Sequence, residues 1–184
     1  MVSHPKVFTD ASSAILLYKA GLFKGIYRTV SIVLARSVFS EITRPGYKGA
    51  GFFSLYQNLV SCLSPAPTPL DPAGIRSLDP GERDTIRIYL QHRKQASSSR
   101  LTGFILVDDG RAARLCQTHD YPFINALLVP KVLCYSGRLT PRERDEKMAF
   151  LSRQGRYSDQ IIQRAHAFSA QDLRYFTQGI ANGK

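Results

Sequence analysis

Five acidic residues of this 184-residue chain lie at or beside the ends of apolar segments: Asp10, Glu41, Glu82, Asp108 and Asp109. Carboxylates that converge repel each other, and proteins tolerate such a cluster chiefly where divalent cations neutralise it. Oxygen ligands without histidine or cysteine favour Mg²⁺ or Mn²⁺ over zinc. On a basic protein, an acidic metal site indicates a phosphodiesterase, in which metals activate water and stabilise the leaving oxygen.

Helix capping is the simpler interpretation of the same acids. Asp10, Glu82, Asp108 and Asp109 all stand where a helix is predicted to begin. Each of them can therefore cap that helix or oppose the positive end of its dipole. Glu41 stands near the C-terminal end of its predicted helix, where the dipole disfavours a carboxylate. Taken singly, these acids are better explained as caps or solvated charges, whereas together they favour a metal site.

Strands and helices that position these acids alternate along the chain. Apolar and β-branched runs predict strands at residues 7–9, 31–35, 103–107 and 123–124. Helical patterns occur at residues 12–21, 22–27, 37–42, 51–63, 78–95, 110–119 and 126–135. Ser12 is the expected N-cap of the first helix. The alternation predicts an α/β fold with a parallel, doubly wound sheet, whose carboxyl edge collects Asp10 and Asp108 or Asp109.

Two connections and a tail complete the predicted organisation. Residues 64–69 are a proline-rich surface connection, and residues 96–99 are a flexible loop. Pro130 lies inside the helix predicted at 126–135 and argues against its continuity. The pattern then becomes purely helical, at residues 141–153, 158–168 and 169–180. We expect a main domain at residues 1–140 and a helical C-terminal extension at residues 141–184, packed on the same domain.

The composition suits one domain with a polyanionic partner. Hydrophobic residues make up 43% of the chain, enough to bury a substantial core, which excludes a disordered tail. Lysine and arginine number 25 against 14 acidic residues, so the formal charge is +11. Nucleic acid is the commonest partner for such an excess, although an anionic membrane or an acidic protein would also satisfy it.

Cysteine usage and the apolar segments predict a cytoplasmic protein that does not enter a membrane. The three cysteines are widely spaced and lack a C-x-x-C pair, so neither a disulfide framework nor a zinc site is expected. The uncharged residues 49–70 are long enough to cross a bilayer but contain three prolines, which argues against a spanning helix. The N-terminus has no signal-peptide pattern.

Four motifs occur in an order and spacing that resemble one family. They are V-F-T-D-A-S-S at residues 7–13, V-F-S-E at 38–41, L-D-P-G-E at 78–82 and I-L-V-D-D-G-R-A-A-R at 105–114. Together they resemble the PIN-domain superfamily, in particular its prokaryotic VapC-like toxin ribonuclease branch. That branch also has a helical tail with a turn like G-R-Y-S at residues 155–158, so the resemblance covers essentially the whole chain.

The resemblance implies a PIN-like three-layer α/β/α sandwich with a mostly parallel central sheet and a C-terminal helical tail. It also implies an Mg²⁺- or Mn²⁺-dependent endoribonuclease that cleaves single-stranded RNA, often as the toxin of a toxin–antitoxin pair. Carried over by position, Asp10 and Asp109 would be metal ligands, completed by Glu41 and Glu82. Asp108 is a further candidate ligand, although Asp109 aligns better and Asp108 is expected to contact nearby backbone or Arg111.

Substrate contacts are carried over in the same way. Ser12 matches a small hydroxyl residue that would hold a metal-bound water, a role compatible with helix capping. Arg111 and Arg114 would grip the scissile phosphate, unless they form a solvated basic face or a salt bridge to Asp108. Asn125 only loosely fills a polar position after the fourth predicted strand, where the family has a small Gly- or Thr-rich turn.

Two other functional classes remain open from the sequence. A non-catalytic RNA-binding or scaffold protein that retains the PIN fold would also be basic. A receiver-like phosphoryl-transfer domain usually needs a lysine at a late strand end, and Lys131 lies in a predicted helix instead. The expected partners are RNA, a cognate antitoxin and a second copy of the chain. Residues 51–62 would supply an antitoxin or dimer surface unless they belong to the core.

Overall fold

A computed structural model describes residues 5–27, 29–47, 49–57, 60–66, 71–95 and 103–181. The flexible loop predicted at residues 96–99 lies outside the described residues, as do residues 67–69 of the proline-rich connection.

The centre of the fold is a parallel sheet of five strands: β1 (Lys6–Thr9), β2 (Ser31–Ala35), β3 (Ser61–Leu63), β4 (Gly103–Leu106) and β5 (Phe123–Ile124). Their order across the sheet is β3-β2-β1-β4-β5. The chain thus builds outward from β1 through β2 to β3, and then returns to the other side of β1 to place β4 and β5. All pairings are parallel, which confirms the predicted parallel sheet.

The helices of the described residues are α1 (Ala11–Lys19), α2 (Phe23–Tyr27), α3 (Arg36–Ile42), α4 (Ala50–Leu55), α5 (Pro80–Gln95), α6 (Gly110–Thr118), α7 (Val129–Tyr135), α8 (Pro141–Gln154), α9 (Asp159–Ala167) and α10 (Arg174–Ala181). Short 3₁₀ turns occur at Ile75–Ser77 and Ala126–Leu128.

Helices cover both faces of the sheet. Successive residues of a strand point to opposite faces. In β1, the Phe8 ring packs against Tyr89 and His92 of α5. The next residue toward the N-terminus, Val7, faces Ile26 of α2 and Val132 of α7 across a small apolar cavity. The inner strands β1, β2 and β4 are buried on both sides, as parallel sheets require, and the three layers are helix, sheet and helix.

One predicted helix is wrong in its second half. The helix expected at residues 51–63 ends at Leu55, and residues 61–63 form β3, paired with residues 33–35 of β2. This edge strand is three residues long and only partly buried, so it shows no apolar alternation that the sequence could reveal. Of the surface expected at residues 51–62, Phe53 is buried in the core and Leu55 is exposed.

Three helix starts also differ from prediction, and the last of them is α10, which begins at Arg174 and not at residue 169. Asp10, and not Ser12, is the N-cap of α1. The helix predicted from residue 126 begins as a 3₁₀ turn, and α7 then starts at Val129 with Pro130 in its first turn. A proline is tolerated there because the first helical N–H groups have no intrahelical acceptor.

The tail packs on the α/β core through α8, which lies against α7. Its start is fixed by a capping box between Thr140 and Glu143. Lys147 Nζ donates to Ala20 O (2.7 Å), and the buried Lys131 of α7 donates to the carbonyls of His166 and Phe168 at the end of α9. Across the described residues, none of the helices has the length and apolar character needed to traverse a bilayer.

Candidate active site

The acids lie at the carboxyl edge of the sheet, where β1 and β4 end side by side. Thr9 of β1 pairs with Leu106 of β4, and Asp10 N donates to Leu106 O (3.1 Å). The chain leaves β1 toward β2 and leaves β4 toward β5, in opposite directions. Open α/β sheets bind ligands at such a switch point, because the connections diverge and leave a crevice.

Asp10 and Asp108 form an inner pair in this crevice. Asp10 is only 1% exposed, and its Oδ1 accepts a hydrogen bond from Ser13 N (2.8 Å) while Oδ2 accepts from Ser12 Oγ (3.1 Å) and Asp108 N (3.4 Å). Ser13 joins the two acids, because its hydroxyl also donates to Asp108 Oδ2 (2.6 Å). The Asp10 carboxylate therefore caps α1 and also contacts Asp108.

Three elements hold the carboxylate of Asp108. Besides the Ser13 hydroxyl of α1, the backbone N–H of Ala126 donates to both of its oxygens (3.2 Å each). The Tyr157 hydroxyl, from the turn between α8 and α9, donates to Oδ1. The backbone contact expected of Asp108 is thus present, whereas Arg111 approaches Asp109 and not Asp108.

Burial dominates the electrostatics of the inner pair. Burial, followed by the negative charge of Asp108, raises the pKa of Asp10 to about 7, and the hydrogen bonds from Ser13 and from the backbone of Asp108 oppose both effects. Burial also raises the pKa of Asp108, against the hydrogen bonds from Ser13, Tyr157 and Ala126. Two adjoining carboxyl groups, of which Asp10 is buried and Asp108 half-buried, resist being ionised together, and a cation between them would remove that penalty.

Asp79, Glu82, Asp109 and Arg111 form an outer group at the mouth of the crevice. Asp109 caps α6 by accepting from the backbone N–H of Arg111 (2.7 Å) and Ala112 (3.1 Å). The Arg111 guanidinium lies 3.3 Å from Asp79 Oδ2 and 3.7 Å from Asp109 Oδ1. Burial, followed by the charge of Asp109, raises the pKa of Glu82. The outer group is therefore a partly balanced set of charges.

Glu41 lies beside the first turn of α5. Its Oε2 is 3.5 Å from the position that a Cβ atom on Gly81 would occupy, and Val38 Cγ2 is 3.2 Å from the same point. Gly81 thus lets α5 approach α3 closely, and this brings Glu41 to the helix end that carries Glu82. Close packing of these two helices therefore explains the glycine in the L-D-P-G-E motif.

The candidate substrate residues are spread around the crevice. Ser12 is exposed, and its hydroxyl donates to Asp10. Asn125 Oδ1 accepts from Leu128 N (3.2 Å), which caps the 3₁₀ turn next to Asp108. Arg114 is exposed on α6 and lines a groove with Leu78 and His119. The sequence did not predict the roles of Ser13 and Tyr157, whose hydroxyl groups donate to the Asp108 carboxylate.

The residues present suit a hard divalent cation in their chemistry. All candidate ligands are carboxylate oxygens, and the Asp10 carboxyl, with its pKa of about 7, has no cationic side chain lowering that pKa among the residues that the structure describes. Within the described residues, no group of three or more histidine, cysteine, aspartate or glutamate side chains lies close enough to hold a metal ion. The acids are instead divided between the inner pair and the outer group, which the adjacent residues Asp108 and Asp109 connect.

Comparisons of the chain with protein-family models, with curated proteins and with solved structures returned no match.

Proposed function

We propose that the chain is a metal-dependent endoribonuclease of the PIN-domain type, VapC-like, that cleaves single-stranded RNA as the toxin of a toxin–antitoxin pair. The observation that carries the proposal is the Asp10–Asp108 pair, with Asp10 buried and Asp108 half-buried, at the switch point of a parallel five-stranded sheet. Two adjoining carboxylates removed from water, with no cation paired to them among the described residues, are a costly arrangement, and such arrangements concentrate at functional sites.

A Mg²⁺ or Mn²⁺ ion held by Asp10 and Asp108, with Asp109, Glu82 and Glu41 nearby, would supply charge neutralisation at the phosphate and a lowered pKa for the attacking water. The protein's own contribution is to fix these acids. Ser13 orients both carboxylates of the inner pair through one backbone and one hydroxyl donor.

Arg111 and Arg114 are proposed to bind the RNA backbone. Both lie on α6, immediately after the acidic pair, and Arg111 already contacts Asp79 and Asp109 at the mouth. Guanidinium groups bind phosphate through two parallel hydrogen bonds, so they can fix the strand while the acids act on one bond. The charge of +11 is consistent with such a polyanionic substrate.

The test is cleavage of unstructured RNA by the purified protein with Mn²⁺, Mg²⁺ or chelator. We expect metal-dependent cleavage that Asp10→Asn, Asp108→Asn, Glu41→Gln, Glu82→Gln and Asp109→Asn each reduce at least about a hundredfold, because metal-activated water is the proposed nucleophile. Asp145→Asn is the matched control, since Asp145 is an exposed acid of α8 paired only with Arg144 among the described residues. Cleavage that persists in chelator would contradict the mechanism.

A non-catalytic RNA-binding or scaffold protein is the second candidate. The division of the acids into an inner pair and an outer group favours it, because no three candidate ligands converge among the described residues. The same assay separates the two functions. RNA that binds in every metal condition without being cut would select the non-catalytic protein.

Antitoxin and homodimer contacts belong to the proposed toxin function. Leu55, at the end of α4, is 82% exposed, and Leu63 of the edge strand β3 is 44% exposed. Exposed apolar side chains beside an unpaired strand edge are typical of surfaces that take up a partner chain.

A further inference from the structure

A groove of about 310 Å³ lies between residues 73–78 and α6, next to the outer group. Ligand pockets usually measure roughly 300–1,000 Å³, so this groove has room for one small ligand unit. Leu78 and Leu115 supply apolar lining, while Arg114, Thr118 and His119 supply polar groups.

His119, which lines the groove, belongs to a stack of planar groups with Tyr121 and Arg93, which are not among the lining residues. The His119 ring lies parallel to the Tyr121 ring, with centroids 5.5 Å apart and planes 19° apart. On Tyr121, the Arg93 guanidinium lies 5.8 Å from the ring centroid. Nucleic-acid bases stack on such aromatic and guanidinium planes, and the stacking is tolerant of sequence.

Arg114 is the cation of the groove that is available to a ligand. Arg111 is already engaged with Asp79, Asp109 and the carbonyl of Ser77. The side chain of Arg114 is exposed and makes no ion pair or hydrogen bond with any part of the chain that the structure describes. A guanidinium binds a phosphate, and an aromatic ring beside it stacks on a base, so the two together fit one nucleotide. An acidic peptide would bind the guanidinium but would leave the aromatic ring without a stacking partner.

We propose that this groove binds one nucleotide of a single-stranded RNA, with its phosphate on Arg114 and its base against His119. The inference rests on the proposed ribonuclease function, because it assigns the groove to the same substrate strand. Helix α6 is nine residues long, which corresponds to about 14 Å. Successive phosphates of a stacked strand advance roughly 3.4 Å along the strand axis, so the bound nucleotide lies within about four nucleotides of the cleaved bond.

Binding in chelator tests the groove without depending on cleavage. The probe is a fluorescein-labelled eight-nucleotide single-stranded RNA, and its Kd is measured by anisotropy over a range of salt concentrations. Arg114→Ala should weaken binding about tenfold and reduce the slope of log Kd against log salt by about 0.7, the value for one phosphate contact on a single strand. Arg142→Ala, which removes an exposed arginine of α8, should change neither quantity. Equal effects of the two substitutions would overturn the proposal.

Photocrosslinking locates the base. The same RNA containing 4-thiouridine should crosslink to residues 115–121, and His119→Ala should lower the yield at least about threefold, in line with the stacking energy of a base on an aromatic ring. Crosslinks confined to other segments would overturn the groove assignment, even for RNA that the protein cleaves. Crosslinks in the groove to RNA that the protein never cleaves would uphold the groove and contradict the proposed catalytic function. Arg114-dependent binding of an octaglutamate peptide as tight as that of RNA would overturn the proposal in favour of an acidic peptide.

Discussion

At the scale of single residues, Asp10 performs two tasks that make opposite demands on its carboxyl group. Capping α1 requires only an acceptor for Ser13 N, and asparagine serves as well as aspartate there. The position beside Asp108 in a buried crevice penalises the negative charge. A substitution that keeps the acceptor and removes the charge therefore separates the two tasks.

Asp10→Asn should raise the melting temperature of the metal-free protein at neutral pH, because it removes the repulsion between the inner carboxylates. Mn²⁺ should stabilise the wild type, by about 2.7 kcal/mol at a hundredfold excess over its Kd, and should stabilise the variant much less. Thermal denaturation with and without Mn²⁺ measures both effects. Identical melting temperatures under all conditions would leave capping as the whole role of Asp10.

The sign of the pH dependence follows from the raised pKa of Asp10. Its folded-state pKa is about 7 against an ordinary value of 3.8, so the folded protein binds the proton more tightly than the unfolded chain does. This contribution to the free energy of unfolding is fully present below about pH 3.8, the ordinary pKa, and is lost as the pH rises through 7. In the metal-free protein, the stability of wild type minus that of Asp10→Asn should fall between about pH 4 and 7, by up to roughly 1.4 kcal/mol per pH unit. Denaturant unfolding at each pH gives the difference, and a flat difference would be incompatible with a raised pKa.

Asp109 offers the complementary case, because its cap is exposed at the start of α6. Asp109→Asn should leave the free energy of unfolding within about 0.5 kcal/mol of the wild type, since asparagine also caps a helix. RNA cleavage should nevertheless fall at least about a hundredfold if the carboxylate takes part in metal binding. Parallel unfolding and cleavage assays check the two statements. Retained cleavage would limit Asp109 to capping.

At the scale of elements, the turn between α8 and α9 reaches the crevice because of a glycine. A Cβ atom on Gly155 would lie well inside van der Waals contact with the Tyr157 ring. The backbone of Gly155 is extended, with φ of −82°, so the requirement for glycine is steric and does not come from a left-handed conformation. The G-x-Y pattern of the tail thus keeps the Tyr157 hydroxyl on Asp108.

Tyr157→Phe should destabilise the protein by about 1–3 kcal/mol, because the Asp108 carboxylate loses a donor in a buried place. Gly155→Ala should destabilise the protein by displacing the Tyr157 ring. The double substitution should cost less than the sum of the two single substitutions, since each of them removes the same hydrogen bond between Tyr157 and Asp108. Urea unfolding provides the comparison. Gly51→Ala is the control, because a Cβ atom there meets no atom within 4 Å. Additive effects would show that Gly155 and Tyr157 act separately.

Local patterns were sufficient to predict most elements. The strand at residues 31–35 and the strand at residues 123–124 have the predicted bounds, because β-branched and apolar runs identify them directly. Strand β3 was missed because pairing with β2 defines it, and pairing is not a property of a three-residue segment. The contact of Tyr157 with Asp108 joins residues 49 positions apart, so it depends on how the tail packs.

The candidate site was predictable in its location and not in its arrangement. Sequence placed the acids at one sheet edge, since parallel strands end at a common edge. The register of β1 against β4 sets Asp108 beside Asp10, and the cap of α6 turns Asp109 toward Arg111. Neither the register nor the direction of a cap can be read from the spacing of carboxylates in the chain.

At the scale of the whole molecule, the excess of positive charge makes a prediction about salt. RNA binding should weaken steeply as ionic strength rises, because a chain of charge +11 displaces several counterions from the phosphate backbone. Titrations of RNA between about 50 and 200 mM salt test this, a range over which six to ten phosphate contacts cost roughly 10³–10⁵ in affinity. An RNA affinity that does not change with salt would indicate that the positive charge serves to bind an acidic protein.

The buried Lys131 makes the α/β core depend on the helical tail as far as Phe168. Its ammonium group donates to carbonyls supplied by the end of α9, and Asp108 takes a donor from the same tail. A nonsense codon after residue 140 would leave every one of the five acids in place, yet the shortened chain would lose the acceptors of Lys131, the Tyr157 donor of Asp108, and the buried Met148 and Leu151 of α8. Losing two buried apolar side chains costs several kcal/mol, which is a large part of the stability of a domain. A truncated allele is therefore expected to be a loss-of-function allele through misfolding, although no candidate metal ligand has been deleted.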